Sequence, residues 1–475
     1  MDRRKQGPRF ADVLRADIGR LTTGFRGPRG QQSLVYRMLA SLLYEKRGRG
    51  RYKMRIFYCP PVGLMLRRRP RDASDASLLH AFWLAEAWRE RGRLARLRLA
   101  AVLVLAWPVV TVSTALWFTA INGGEARRRT GKGRLRQLAE QLRMAAAYDV
   151  LPPWYYIFEL FEAEAGAQAG AYLHRFETKG GLYRFVKHKR VAPGEDAPLG
   201  DKIEFAERCR ERAIPTAPVL LVVSHGAFFA DFGGERVAAP RLPETDLFVK
   251  QASGTGGLGA ERWWFDGDGS YHNDDDRRLG HDAMLDELRR RSRKGPCLVQ
   301  KRFENHSAMH DLCNGALSTV RITTIQDEGG HPEVTHAVLR MALTAGKPVD
   351  NFHAGGLAAP VDLHTGELGP ASDVGLRPDV GWCDTHPATG AKLLGRRLPW
   401  WAETLELARR AHAAFPKRVI VGWDIAILED GPVVIEGNGS PDLDIVQRIH
   451  HQPLGDGRFG ALLAFHVRRG LAARG

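Results

Sequence analysis

Residues 419–444 read VIVGWDIAILEDGPVVIEGNGSPDLD, and few stretches of the chain leave so little structural freedom. Two apolar runs flank Asp430-Gly431-Pro432, so they form strands joined by a tight turn. Side chains alternate between the faces of a strand, which places Gly422, Asp424 and Ala426 on one face of the first and Glu436 and Asn438 on one face of the second. A carboxylate between two small residues marks a place where another group approaches closely. Asp424, Glu436 and Asn438 can therefore converge across the hairpin as oxygen donors. Such a set suits Mg²⁺ held jointly with phosphates, because this ion prefers carboxylates and keeps several waters.

Anion-binding groups lie upstream. TDLFVKQASGTGGLGA, residues 245–260, is a short strand that delivers Lys250 into a loop containing Ser253, Gly254, Gly256, Gly257 and Gly259. Glycines let backbone N–H groups come close to a polyphosphate, and the lysine supplies a point charge. The alternative for this piece alone is a surface loop after an edge strand. LGDKIEFAERCRERAIPTAPV, residues 199–219, sets Lys202 at the start of an amphipathic helix that ends near Pro215. GPCLVQKRFENH, residues 295–306, reads as a buried strand carrying Gln300 and Lys301 towards a polar exit. LSTVRITTIQD and EVTHAVLRMAL alternate as paired strands, with Thr319, Arg321 and Thr323 on one face and His336, Val338 and Arg340 on another. An arginine inside an apolar strand needs an anion or water, so Arg321 and Arg340 either line a charged cleft or close a structural ion pair.

The first third of the chain has a different character. Residues 1–150 hold 31 Lys+Arg against 11 Asp+Glu, a net of +20, whereas the remainder holds 39 against 43, a net of −4, so the positive charge behind the total of +16 belongs to the N-terminal part. Residues 1–30 are Arg- and Gly-rich and read as flexible. Residues 31–130 read as a basic helical region, 131–198 as a helical lead-in broken at Pro152-Pro153, and 199–475 as the catalytic unit. LAAVLVLAWPVVTVSTALWFTAI, residues 99–121, carries no charge from end to end. It is either a buried helical hairpin broken at Pro108 or a segment entering or lying on a membrane, where the basic flanks favour an anionic inner leaflet. Aromatic and basic residues are not interleaved in a nucleic-acid-binding module, so no nucleic-acid partner is expected. The 5 cysteines form no CxxC pair, which suits reduced thiols in the cytoplasm, with neither disulfides nor structural zinc.

The ordered set DK (Asp201-Lys202), FVK with its glycine loop, LVQK (Leu298 to Lys301), the two strand arginines, Asp424 and the terminal E-x-N (Glu436, Asn438) resembles the ATP-grasp superfamily. TVRITT, VDNFHAGGLAAPVDLHTGELG (residues 349–369), HPATG (residues 386–390), VGWDIAI and IEGN look more narrowly like the sugar-transfer associated ATP-grasp group, which is related to alpha-L-glutamate ligases. The resemblance covers residues 199 to about 460 well, covers 131–198 loosely, and leaves residues 1–130 unplaced. It implies an α+β fold in which two subdomains clasp ATP. It also implies that Lys202 and Lys250 touch the α- and β-phosphates, that Ser253 to Gly259 close over the triphosphate, and that Gln300 with Lys301 flanks the adenine. Asp424, Glu436 and Asn438 would hold Mg²⁺. Arg321 and Arg340 would stabilise the transferring phosphoryl group or acyl phosphate. Asp350, Asn351, His353, Gly355 and Gly356 would border the acceptor pocket, a tight structural loop being the alternative. The activity implied is ligation of a carboxylate to an amine or other nucleophile, small or glycan-linked, in polysaccharide or cell-envelope assembly. A kinase-like phosphotransferase on the same fold and a non-enzymatic binding protein are the rivals.

Overall fold

The computed structural model describes residues 44–46, 52–54, 72–89, 92–105, 107–186, 199–230, 234–238, 240–252, 260–344, 352, 355–376 and 380–473. A short antiparallel pair, β1 (Tyr44–Lys46) and β2 (Tyr52–Met54), precedes four helices: α1 (Asp75–Arg89), α2 (Arg93–Leu105), α3 (Trp107–Thr130) and α4 (Arg134–Tyr148). Pro108, the break expected in the uncharged run, is the second residue of α3, and Ala106 between α2 and α3 lies outside the described residues. No helix among the described residues is long and apolar enough to cross a membrane. The run is buried on one side, where Val110, Thr111, Ala115 and Thr119 lie, and exposed on the other, at Val104, Leu105, Val109, Val112, Leu116 and Trp117. The double proline opens a new short helix, Pro152–Ile157, whose residues are all buried.

Two antiparallel sheets follow. In the first, β3 (Val219–Ser224), β4 (Ala227–Phe229), β5 (Arg236–Val237), β6 (Leu247–Gln251), β7 (Glu261–Phe265), β8 (Ser270–Asn273), β9 (Arg278–Gly280) and β10 (Cys297–Lys301) lie in the order β5-β4-β3-β10-β6-β7-β8-β9. Helix α6 (His281–Ser292) packs on this sheet, and α5 (Lys202–Glu211) precedes it. Helix α5 stops short of Pro215 because Ala213 takes a left-handed conformation, φ 50°. In the second sheet, β11 (Thr319–Gln326), β12 (Pro332–Met341), β13 (Leu357–Pro360), β14 (Ala371–Ser372), β15 (Trp382–Cys383), β16 (Ile420–Leu428) and β17 (Gly431–Asn438) lie in the order β15-β14-β13-β12-β11-β16-β17. Helices α7 (Trp401–Ala413), α8 (Leu443–Ile449) and α9 (Arg458–Ala472) complete the chain.

The second sheet is the centre of the molecule. Every residue of β11 is buried, as are all of β16 but the last, so these strands run through protein on both faces. One face packs on α7 through Trp423, Phe415 and Leu407. The other shares a core with the N-terminal helices, in which Trp83, Tyr155 and Phe158 meet Ile325, Val338, Ile445 and Leu463. At that junction sits Glu159, buried and left-handed at φ 53°. Its carboxylate takes Arg129 of α3 at 2.6 Å, Arg448 of α8 at 2.7 Å, His451 at 3.1 Å and the Trp382 indole at 3.0 Å. Burial alone would favour the protonated acid, but His451, Arg129 and Arg448 outweigh it and hold the group far below the usual carboxylate range.

Candidate active site

A cleft of about 1330 Å³ opens between the two sheets, larger than the roughly 300–1,000 Å³ that commonly houses one small ligand. One wall comes from the eight-stranded sheet. Asp201 caps α5 by accepting the Ile203 and Glu204 N–H groups at 2.8 and 3.3 Å, which fixes Lys202 at the first helical position facing the cleft. Lys250 stands opposite Leu298 in the β6–β10 ladder, and Gln300 stands opposite Phe248. Lys202, Lys250, Gln300 and Lys301 all line the cleft. The Gln300 amide donates to Ala217 O at 2.8 Å, so its side chain is fixed by β3 and its neighbours. Water reaches Lys250 from the open cleft, yet protein crowds it closely. Desolvation lowers its ammonium to about 8, Lys202 adds repulsion, and Glu436 offsets part of the shift. Lys202 is lowered in the same way, against the pull of Glu436 and Asp201.

The other wall is the β12-β11-β16-β17 segment. Register sets Arg321 opposite Asp424, Asp424 opposite Glu436, Thr319 opposite Arg340 and Gly422 opposite Asn438. A bulge between Asp424 and Ile425 breaks the β16–β17 pairing next to the carboxylates. Arg321 is buried and grips Asp424 with two N–H groups, Nε on Oδ1 and Nη2 on Oδ2 at 3.0 Å. Arg340 reaches Asp424 Oδ2 from the next strand at 3.0 Å and donates to the Thr319 hydroxyl at 2.6 Å. Both arginines thus line the cleft and close an ion pair, which joins the two sequence-based alternatives. The group that approaches Gly422 closely is protein: a Cβ there would lie 2.7 Å from Pro441 Cβ and 3.3 Å from Arg321 Cδ.

The two carboxylates diverge electrostatically. Burial opposes the charge on Asp424, but Arg321 and Arg340 prevail and hold its carboxyl below the ordinary range. Glu436 is raised, first by desolvation between the cleft walls and second by the charge on Asp424. Asn438 lines the same cleft, its side-chain oxygen accepting the Ser440 N–H at 2.9 Å.

A model of the sugar-transfer associated ATP-grasp family matches residues 187–455. The chain belongs to this family. It therefore has the ATP-grasp fold, an enzyme fold that works with ATP and Mg²⁺. Among curated proteins none matches the sequence. Solved structures with a related chain path include D-alanyl-alanine synthetase A from Vibrio cholerae O1 biovar eltor, at 12% identity and TM-score 0.35, covering 59% of this chain and 68% of that one. The carboxyaminoimidazole ribonucleotide synthase of Aspergillus clavatus complexed with ATP shows 14% identity and TM-score 0.29 over 54% of this chain and 52% of that one. The L-amino acid ligase of Bacillus licheniformis shows 11% and 0.28 over 60% and 48%.

The ATP-grasp donor set can be tested for Mg²⁺. Among the described residues no three His, Cys, Asp or Glu side chains gather to cage a metal by themselves. Glu436 and Asn438 face the cleft, and both Asp424 oxygens carry arginine hydrogen bonds. Two carboxylates and an amide are too few for a protein-only cage but fit an ion that shares its shell with phosphates and water. Ser253, Gly254, Gly256, Gly257, Gly259, Asp350, Asn351 and His353 lie outside the described residues. Gly355, φ 89°, donates to Phe352 O at 3.2 Å in a turn, and Phe352 rather than Gly355 or Gly356 lines the cleft.

Sequence reasoning missed a third group. Arg175 and Lys179 enter the cleft from the helical segment ahead of the family match. They pair with Asp442 Oδ1 at 3.0 and 2.6 Å, while the buried Tyr183 hydroxyl donates to Pro441 O at 3.0 Å. These contacts pin the loop that follows Glu436 and Asn438. The helical pattern of residues 131–164 gave no hint that their neighbours would reach a site near the other end of the chain.

Proposed function

We propose that this protein is an ATP- and Mg²⁺-dependent ligase that joins a carboxylate to an amine through an acyl phosphate. The observation that carries the reading is the registered Asp424–Glu436 pair, flanked by Arg321 and Arg340, across one cleft from Lys202 and Lys250. In this mechanism Lys202 and Lys250 bind the α- and β-phosphate oxygens, and Gln300 and Lys301 border the base. A substrate carboxylate oxygen attacks the γ-phosphorus and the bond to the β-phosphate oxygen breaks, releasing ADP. The amine nitrogen then attacks the acyl carbon and the phosphate leaves. Mg²⁺ held by Asp424, Glu436 and Asn438 would neutralise charge on the phosphates. Arg321 positions Asp424, and Arg340, at the cleft surface, stabilises the transferring phosphoryl group. Alignment of reactants supplies most of the acceleration, so no covalent nucleophile on the protein is needed.

Residues 199–475 form the catalytic unit in this reading, with 131–198 as the helical lead-in, 31–130 as the basic helical region and 1–30 as a basic terminus. The family description points to acceptors of polysaccharide or cell-envelope assembly, glycan-linked or small. The protein would act at the inner face of a membrane. The test is thermal stabilisation of the full chain by Mg·ATP in the parent and in Glu436→Gln. At hundredfold excess over the dissociation constant a bound ligand adds about 2.7 kcal/mol, which the variant should lose. Turnover should release ADP with free phosphate. A phosphorylated acceptor instead would make the enzyme a phosphotransferase, and no shift in either protein would reject the nucleotide site.

A further inference from the structure

Helix α3 buries mostly small and polar side chains and leaves several of its large apolar ones outside. The side it turns to the protein carries Val110, Thr111, Ala115, Thr119, Asn122, Gly123 and Ala126, all buried, with Trp107 and Phe118 partly buried against the core. There Gln141 donates to the Thr119 hydroxyl at 2.7 Å, Gln137 donates to Gly123 O at 3.0 Å, and Tyr156 donates to Gln137 at 2.9 Å. The helices approach so closely that a Cβ at Gly123 would stand 3.1 Å from Gln137 Oε1. The side it turns outward carries Val109, Val112, Leu116 and Trp117, exposed at 56, 40, 53 and 45%. A helix on a water-facing surface has the reverse arrangement, its large apolar residues inward and its polar residues outward. Small and hydroxyl-bearing residues inside with aliphatic residues outside is the pattern of a helix whose outer medium is apolar.

Helix α2 repeats the outward row, with Leu94, Leu97, Val104 and Leu105 exposed. Of the 12 large apolar side chains exposed among the described residues, 8 lie between Leu94 and Trp117, so the patch is a local feature rather than scattered surface. Arg93 precedes the row, and Arg127, Arg134 and Arg136 follow it, all exposed. Apolar rows of this kind with basic residues at both ends suit helices lying in the plane of a membrane interface.

We infer that the outward faces of α2 and α3 dock in the plane of a bilayer bearing anionic lipid, the apolar rows entering the headgroup boundary and the flanking arginines meeting lipid phosphates. Charge decides for this occupant: the apolar patch lies in the third of the chain that carries 31 Lys+Arg against 11 Asp+Glu, in a protein whose total net charge is +16. The inference goes beyond the proposed activity, since none of these side chains lines the cleft.

The test is co-sedimentation of the full chain with vesicles of phosphatidylcholine alone and of phosphatidylcholine mixed with phosphatidylglycerol. Binding to the mixed vesicles, weakened by salt, is expected, and Leu97→Asp or Leu116→Asp should lower the partition coefficient about tenfold or more. Mg·ATP-dependent stabilisation should survive in both variants, because their positions face outward. Failure of that stabilisation in the parent would count against the ligase reading and leave the vesicle result standing. No binding to either vesicle overturns the inference. So does a dimer in light scattering that Leu116→Asp dissolves, since a second copy would then own the face. A large loss of thermal stability in Leu97→Asp and Leu116→Asp without lipid also overturns it, because another part of the same chain, ahead of α1, would then be the cover.

Discussion

The two walls of the cleft handle charge in opposite ways. On the eight-stranded wall, Lys250 is crowded by protein, and among the described residues no carboxylate comes within salt-bridge distance of it. On the seven-stranded wall, Asp424 is locked between Arg321 and Arg340 before any ligand arrives. The first wall keeps a destabilised cation ready for an incoming anion. The second is cross-linked, and burial together with the charge on Asp424 raises Glu436 beside the clamp. A site that must bind a polyphosphate and stay rigid gains from dividing these tasks between sheets.

Replacing each carboxylate of the rigid wall should separate stability from function. Asp424→Asn leaves buried Arg321 without its counter-charge and should lower unfolding free energy by about 3–5 kcal/mol. Glu436→Gln, next to it in register, should stay within about 1 kcal/mol of the parent in urea unfolding while losing turnover. Equal losses from the two would erase the distinction between a clamp and an open ligand. On the other wall, Lys250→Ala should weaken ATP binding by roughly ten- to hundredfold, the worth of a charge-assisted hydrogen bond, without destabilising the fold. Calorimetric affinity with unchanged unfolding would sharpen the contrast.

A pH series probes the same wall more gently. Lys250 is lowered to about 8, so in the free protein it loses its proton as pH rises through that value, and phosphate oxygens bind the protonated form. ATP affinity should therefore fall above about pH 8, and Lys250→Arg should flatten the profile. Glu436 works in the other sense: its raised carboxyl must ionise to hold a metal, so Mg²⁺ affinity should rise with pH through the weakly acidic range. The smallest effect is expected from Lys179→Met, which loosens the loop at Asp442 and should raise the KM for Mg·ATP a few-fold, with Lys179→Arg restoring it. An unchanged KM would reduce that ion pair to surface decoration.

Strand periodicity made the hairpin legible, down to the facing of Asp424 and Glu436. The strand carrying Lys250 and the helix starting at Lys202 were legible for local reasons: a short apolar run ending in a glycine loop in one and an amphipathic pattern in the other, while the Asp201 cap came only with the structure. Pairings between distant strands were not. Arg321 and Asp424 are 103 positions apart and meet only because β11 lies beside β16, which no local pattern specifies. Gly422 announced a close approach, but the approaching groups, Pro441 and the Arg321 stem, follow from tertiary packing. The uncharged run was ambiguous for a related reason. Hydropathy averages over a helix, whereas the outward and inward sides of α3 differ in kind, and only the packing of α4 tells them apart.

Glu159 gives that difference a mechanical meaning. It rivets α3, through Arg129, to α8, through Arg448, and α8 begins directly after Asp442. A helix pair resting on a surface would thus be tied by ion pairs to the helix that follows the loop after Glu436 and Asn438. The cleft would be held at one height and tilt above the bilayer, and acceptors would be sorted by how far their reactive group stands out from the lipid.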